Sequence, residues 1–476
     1  MLEMEAIAKR GESVTVNETA VQELRDSLRG KLIRPGDPDY DEARTVHNGM
    51  IDKRPALIAR CTGAADVVDA VNFARENQLL VSVRGGGHNV AGHAVNDGGL
   101  VIDLSPMKGI QVDPKARVAR AQGGVTWGEL DRETQLFGLA TPGGTVSTTG
   151  IAGMTLGGGH SWLRRKYGLS CDNLIGADVV TADGQFLHAS EDENPDLLWA
   201  LRGGGGNFGV VTSFEYRLHE VGPEVMFAAV MYPAELAPEL LPAWRDFMAE
   251  APETVTSEAP FWSVPAAPVF PEAVHGREVL VVAALYSDDW REGEKVLQPL
   301  RELAEPILDM SGVYPYTQVQ TTFDPFYPEG ELYYYWKSLR LDRLDDEVIA
   351  AIIDHVANRP SPRTLVPIWH HGGAMSRVGP EETAFGDRSA PFLLSLDSTW
   401  EDPAETEENI AWTRAAWDDM QSFSSGGSYL NFMGEEGETL VRDAYGRNYE
   451  RLQALKQKYD PENLFRMNQN IKPDGG

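Results

Sequence analysis

Residues 153–173 read GMTLGGGHSWLRRKYGLSCDN. Gly157, Gly158 and Gly159 put no Cβ in the path of a closely approaching ligand. A matching cluster lies upstream, Arg84-Gly85-Gly86-Gly87-His88-Asn89, and a third downstream, Gly203 to Gly206 followed by Asn207. Runs of backbone N–H groups in such turns form concave anion sites. Arg164, Arg165 and Lys166 bring positive charge close in sequence to Cys171, and nearby cations favour a thiolate. Glycine nests, one imidazole and one thiol together point to a phosphate-bearing cofactor with covalent anchor points. The G-x-G-x-x-G spacing inside these runs is not a dinucleotide fingerprint, because no strand–loop–helix unit with a correctly spaced acid surrounds it.

Working outward, the flanking chain alternates strand and helix patterns. Ala56 to Arg60 and Leu79 to Val83 are short apolar runs on either side of a helical period over residues 64–77. The Arg84 glycine loop follows the second run directly. Gly98 to Leu104, residues 110–125, Gly176 to Thr181, Phe186 to Ala189 and Val210 to Leu218 read as further strands, with Asp183-Gly184 a hairpin turn. Val125 to Gly138 and Asn194 to Leu201 read as helices. Residues 1–39 read as a helical segment in which Asn17 caps Val21, Leu24 and Leu28, ended by Pro35-Gly36-Asp37-Pro38. After Val221 the composition shifts to fewer glycines and more tryptophans and prolines. Apolar runs at 226–231, 278–286, 365–370 and 391–397 alternate with helical periods at 237–248, 292–303, 345–357 and 407–422, which predicts one sheet covered by helices on one face. Tyr429 to Phe432 reads as a short strand, and residues 435–445 and 448–459 as helices.

The chain has 476 residues, 42% hydrophobic content and a formal net charge of −30. That length accommodates two domains. The charge excludes nucleic acid as a natural partner. No apolar run reaches the ~18 residues of a membrane span, and the charged first ten residues do not form a secretory core. The expected location is cytoplasmic. Two distant cysteines give no disulfide framework, and Cys61, in an apolar run, reads as a buried inert thiol. The oligomeric state stays open.

The motifs Arg-Gly-Gly-Gly-His-Asn at 84–89, Gly-Leu-Ser-Cys-Asp-Asn at 168–173 and Asn-Gln-Asn-Ile at 468–471 resemble the berberine bridge enzyme-like flavoprotein oxidases. These belong to the vanillyl-alcohol oxidase superfamily. The resemblance runs from about residue 40 to the end and is most specific between 81 and 216. It implies an α+β protein: a PCMH-type FAD-binding domain of two subdomains (40–221), an inserted substrate domain built on an antiparallel sheet covered by helices (222–427), and a C-terminal return to the FAD domain (428–476). It implies bicovalent FAD, through His88 and Cys171. Arg84, Gly85, Gly86, Gly87, Asn89, Gly157, Gly158, Gly159, Asn173, Gly204, Gly205, Asn468 and Asn470 are the expected cofactor contacts; His93 reads as structural. The implied activity is hydride transfer from a small alcohol, sugar or natural-product ring, or an amine, to FAD, with O2 as acceptor giving H2O2. A dehydrogenase using another acceptor and a flavin-bearing binding or resistance protein are the alternatives. No metal is expected.

Oxidising an alcohol needs a base. Many relatives use the last tyrosine of a Tyr-x-Asn-Tyr strand; here that stretch is Tyr429-Leu430-Asn431-Phe432. Others place Glu or Gln in the strand matching 392–397, where Leu393 and Leu394 stand. The leading replacements are His370 and His371, which strand alternation puts on opposite faces, with imidazoles that ordinarily titrate near 6.5. Tyr335, in the aromatic run 333–336, and then Tyr429 and Asp397 follow.

Overall fold

The computed structural model describes residues 3–474; residues 1, 2, 475 and 476, at the outer ends of the first and last segments, lie outside the described residues. Three sheets carry the architecture. The first is four-stranded, in the order Lys31–Ile33, Leu57–Arg60, Leu100–Asp103, Val81–Arg84. Its last three strands are parallel, because the helix Ala64–Glu76 crosses between the outer two and buries Val67, Ala70, Val71 and Ala74 against the sheet. The second sheet is five-stranded and antiparallel, in the order Phe186–Ser190, Leu174–Val180, Val210–Arg217, Val118–Gln122, Ile110–Asp113. The helix Trp127–Gln135, closed at its start by a Thr126–Glu129 capping box, packs Trp127 and Leu130 into the same core.

The third sheet is eight-stranded. Its path runs Leu308–Asp309, Glu224–Pro233, Glu278–Tyr286, Val255–Ser263, Val366–His370, Phe392–Trp400, Tyr333–Leu341, with Gly312–Pro315 beside the second strand. All its pairings are antiparallel. Alternation divides each strand between two environments. Ala259, Phe261, Leu339, Leu341, Val366, Ile368, Phe392, Leu394 and Leu396 pack against helices Ala237–Glu250, Trp290–Arg301, Asp346–Ala357 and Thr406–Met420. The opposite face looks toward the first two sheets. The expected arrangement of one sheet with helices on one side is the observed one. Four strands went unread: the short Leu308–Asp309 and Gly312–Pro315, Val255–Ser263, whose alternation is masked by Pro260, and Tyr333–Leu341, read only as an aromatic run.

Two other expectations change. Residues 3–39 are not only helical. Glu3–Ile7 and Ser13–Asn17 form a hairpin, and Lys31–Ile33 joins the first sheet. Between them the helix Glu18–Ser27 is capped by Asn17, whose side chain accepts from the Thr19 N–H. Tyr429–Phe432 is not a strand: Leu430–Phe432 is a single 3₁₀ turn. Tail residues pack on the first two sheets: Leu464 and Phe465 join the core of the first, and Tyr449, Leu452 and Leu455 that of the second. Lys456 and Asp460, both without solvent exposure, pair at 2.6 Å. The Lys456 ammonium also donates to the carbonyls of Asn207 and Phe465, and Asp460 accepts from the N–H groups of Leu464 and Phe465. All three ammonium protons and both carboxylate oxygens of this buried pair are thus engaged, which is what makes its burial tolerable. No helix among the described residues is long and apolar enough to cross a membrane.

Candidate functional site

One cavity of about 320 Å³ lies where the three sheets meet. Its glycine wall comes from all three loop clusters: Gly85, Gly86, Gly87, then Gly150, Gly153, Gly157, then Gly205 and Gly206. The reason for glycine is steric. A Cβ on Gly86 would stand 2.4 Å from the Gly150 backbone nitrogen, and one on Gly150 at 2.4 Å from that of Gly86. Only bare backbones let the loops of the first and second sheets touch. Gly158 (φ +118°) and Gly159 (φ +91°) take conformations that L side chains rarely adopt; they shape the turn from behind rather than line the cavity.

His88 stands on this wall. Its Nε2 and Nδ1 lie 3.1 and 3.3 Å from the Thr148 and Thr149 hydroxyls. Its ring stacks on His47 at 4.0 Å, which in turn stacks on Tyr334 at 4.9 Å. Burial, with His47 adding to it, holds the His88 imidazole well below its usual range, so it is neutral and carries a free electron pair. At the far end Phe465, Met467, Asn468 and Gln469 of the tail line the cavity. Asn468 donates to the carbonyls of Gly206 and Phe465, while its buried Oδ1 has no partner. Asn89 also lines the cavity, and its Oδ1 accepts the His93 N–H.

Other expected contacts are engaged with protein groups. Arg84 points away, donating to the Ala43 carbonyl. Asn173 bridges the carbonyls of Tyr167 and Leu169 and the His219 ring. The Gly204 carbonyl accepts from Asn207 and Tyr445. Asn470 is not among the lining residues. Cys171 stands farthest from the expected arrangement. Its thiol is fully buried among Leu169, Trp369, Met375, Phe385, Leu393 and Tyr429, outside the cavity wall. Burial, reinforced by Asp172, drives its pKa well up, away from the thiolate that nucleophilic attack needs. The expected cationic help is engaged elsewhere. Arg164 donates to the carbonyls of Ser161, Ser257 and His370, Arg165 to those of Ala251 and Val255, and Lys166 pairs with Asp288. These three residues tie the loop to the large sheet. Cys61 is fully buried as expected, with its thiol pKa pushed up by burial.

The sheet forms the other wall, and it redistributes the candidate bases. His370 faces the helix side, edge-on to Trp244 at 6.1 Å, and burial depresses its pKa to about 3. His371 lies behind the wall, stacked on His160 at 4.9 Å, its Nδ1 3.2 Å from the Ala390 carbonyl. Neither lines the cavity. Tyr335 also faces the helices, its hydroxyl accepting from Arg414; its neighbour Trp336 occupies the cavity face instead. Tyr429 does line the cavity. Its hydroxyl oxygen accepts from the N–H groups of Gly159 and His160 and from the Asn431 amide. Burial still lifts its pKa to about 12, too high for a base near neutral pH.

Two carboxyls take their place. Asp397 and Glu258, each 5% exposed, line the cavity from Phe392–Trp400 and Val255–Ser263. Burial raises both to about 7, and Asp397 adds to the rise at Glu258. Asp397 accepts from the Ser395 hydroxyl. Tyr327, Trp336, Trp369 and Phe432 line the same part of the cavity. Glu258 was missed because its strand was. Asp397 was legible: Phe392, Leu394 and Leu396 are the apolar phase, so 393, 395 and 397 share the other face.

A flavin dinucleotide fits what is present: an elongated glycine-walled cavity, an unpaired Asn468 oxygen at one end, a neutral imidazole on the wall and a titratable carboxyl on the facing sheet. Residues 55–190 match the model of the FAD binding domain, and residues 428–472 match that described as berberine and berberine like. The (R)-6-hydroxynicotine oxidase of Paenarthrobacter nicotinovorans is 33% identical over 466 residues, covering 94% of this chain and 98% of the relative. The chain belongs to the berberine bridge enzyme-like FAD-linked oxidoreductases. Glucooligosaccharide oxidase of Sarocladium strictum is 30% identical, covering 91% of this FAD-linked oxidoreductase and 90% of the relative. The crystal structure of 6-hydroxy-D-nicotine oxidase from Arthrobacter nicotinovorans superposes with a TM-score of 0.84 at 31% identity, covering 94% and 99% of the two chains. The oxidoreductase carries, among its described residues, no cluster of three or more His, Cys, Asp or Glu side chains able to hold a metal.

Proposed function

We propose that this oxidoreductase is an oxidase of a small molecule, with FAD attached through His88 alone, O2 as electron acceptor and Asp397 as the base. The observation that carries it is the buried, cavity-lining Asp397 carboxyl with a pKa of about 7. Bound FAD supplies the acceptor for hydride and, through O2, its own reoxidation to give H2O2. The chain's own residues do the rest. His88, held neutral by burial and fixed by the stack with His47, offers a ring nitrogen to the cofactor. Gly85–Gly87 and Gly205–Gly206 let backbone N–H groups approach its phosphates. Asp397 takes the proton from the hydroxyl or amine whose neighbouring carbon is oxidised, a step for which a pKa near the working pH suits it. The aromatic wall excludes water. Phe432, where a base is expected in relatives, contributes only a ring.

The relatives named above are oxidases of a hydroxynicotine and of a glucooligosaccharide, and the oxidation of a hydroxyl needs a base at this point. The test is direct. Acid-precipitated protein keeps its yellow colour with flavin mass on the peptide containing His88, and a panel of amines, alcohols and sugars releases H2O2 in air with one of them. Substrate turnover that reduces an artificial acceptor but no O2 assigns a dehydrogenase; binding without flavin reduction assigns a sequestering protein. Flavin that washes out completely in acid refutes the attachment.

A further inference from the structure

The sheet wall of the cavity has a one-sided charge. It presents Glu258 and Asp397, and no lysine or arginine among the described residues lines any part of the cavity. Glu258 is nine-tenths buried or more, and its Oε2 has no hydrogen-bond partner. The cation that acts on it, Arg164, directs its hydrogen bonds to three backbone carbonyls rather than to this carboxyl. The groups that act on these carboxyls are few: Arg164 and Asp397 on Glu258, the Ser395 hydroxyl on Asp397, and the Tyr327 phenol, which senses both. A buried carboxylate oxygen without a donor is costly unless a ligand supplies one.

Around it stand aromatic rings. Phe432 lies edge-on to Trp336 at 5.4 Å and 6.3 Å from Trp369, and Tyr327 lies 6.3 Å from Trp336. Ring faces attract cations, indole most strongly, and the attraction grows where water is excluded. When ionised, the two carboxyls repel an anion and give a neutral molecule no charge to pair with.

We propose that this end of the cavity is an organic-cation subsite, in which Glu258 receives the ammonium of a protonated amine whose apolar ring packs among Trp336, Trp369, Tyr327 and Phe432. The proposal rests on the reading of the cavity as the site of FAD-linked oxidation, and it names that site's substrate class: a ring-bearing amine rather than a neutral sugar or an acid. Glu258 anchors the charge, separate from the role of Asp397. Because both carboxyls titrate near neutrality, the subsite is strongest above pH 7, where they are ionised, and weak near pH 5.

The test compares two probes of one shape, 4-phenylpiperidine, a cation throughout pH 5–9, and 4-phenyltetrahydropyran, which is neutral. Equilibrium dialysis against the purified holoprotein gives each Kd. The expected result is at least ~10-fold preference for the cation at pH 8.5, falling several-fold by pH 5.5, and largely lost in Glu258→Gln. Equal affinities at pH 8.5, or a preference that survives unchanged in Glu258→Gln, overturns the proposal. If Glu258→Gln does not fold, the pH series on the unmodified protein decides alone. Dialysis does not depend on flavin redox chemistry, so holoprotein that releases no H2O2 with any substrate refutes the oxidase reading while leaving the cation preference measurable.

Discussion

Replacing Asp397 by Asn separates its chemical and structural consequences. Burial raises this carboxyl from 3.8 to about 7, so ionising it inside the protein costs on the order of 4 kcal/mol relative to the unfolded chain. The folded carboxyl holds its proton more tightly than the unfolded one. Its contribution to stability is therefore complete below about pH 4 and is lost as pH climbs through about 7. Asn carries no such charge. The variant should match the unmodified protein at or below about pH 4 and exceed it by up to about 4 kcal/mol at pH 8.5, read as a thermal-midpoint difference that grows with pH. Catalysis should move the other way. Below pH 7 the ionised fraction of Asp397 drops about tenfold per pH unit, so anaerobic flavin reduction should show an acid limb near 7. Asn should remove that limb and slow reduction by roughly 10²–10⁴-fold. Loss of the Asp397 charge also lowers the Glu258 pKa, since Asp397 helps raise it; any residual titration should shift downward, as for coupled groups. A variant that reduces flavin at the normal rate, or a midpoint difference flat with pH, refutes the assignment.

Three further outcomes follow from the geometry. His88→Ala should leave the acid pellet colourless with FAD in the supernatant, whereas Cys171→Ala should keep flavin in the pellet; flavin mass on a Cys171 peptide would reverse the reading of that thiol. Gly86→Ala drives a Cβ to 2.4 Å from the Gly150 nitrogen and should lower both flavin content and thermal midpoint, while Gly437→Ala, with open space around it, should stay within about 0.5 kcal/mol. Asp172→Ala leaves the Arg388 guanidinium, 2% exposed in its side chain, without its bidentate partner and should cost about 3–5 kcal/mol, with much of the loss recovered in Asp172→Leu/Arg388→Met.

The elements nearest the glycine loops were legible because turn chemistry and hydrophobic period agree there: Asp183-Gly184, the Ala64–Glu76 helix and its flanking strands all stand where the pattern puts them. The site was legible on its cofactor side and obscure on its sheet side. His88, Gly157, Gly205 and Asn468 reach the cavity; His370, His371 and Tyr335 do not, since each belongs to a strand whose phase or endpoint the local sequence leaves undetermined. A shift of one residue exchanges Tyr335 for Trp336. Cys171 misled for a different reason: a thiol beside three cations in sequence has none of them free once those side chains find backbone carbonyls across the domain boundary.

The alternation of the large sheet carries one more consequence, for how such a protein acquires new chemistry. Positions 258, 260, 336, 367, 369 and 397 meet the cavity, while their immediate neighbours anchor the helices. Diversity at the first set is insulated from the second by the pleat itself. A lineage can therefore exchange acids for amides or rings for aliphatics along the inner face while the helical layer keeps the scaffold folded, so that substrate preference drifts faster than architecture.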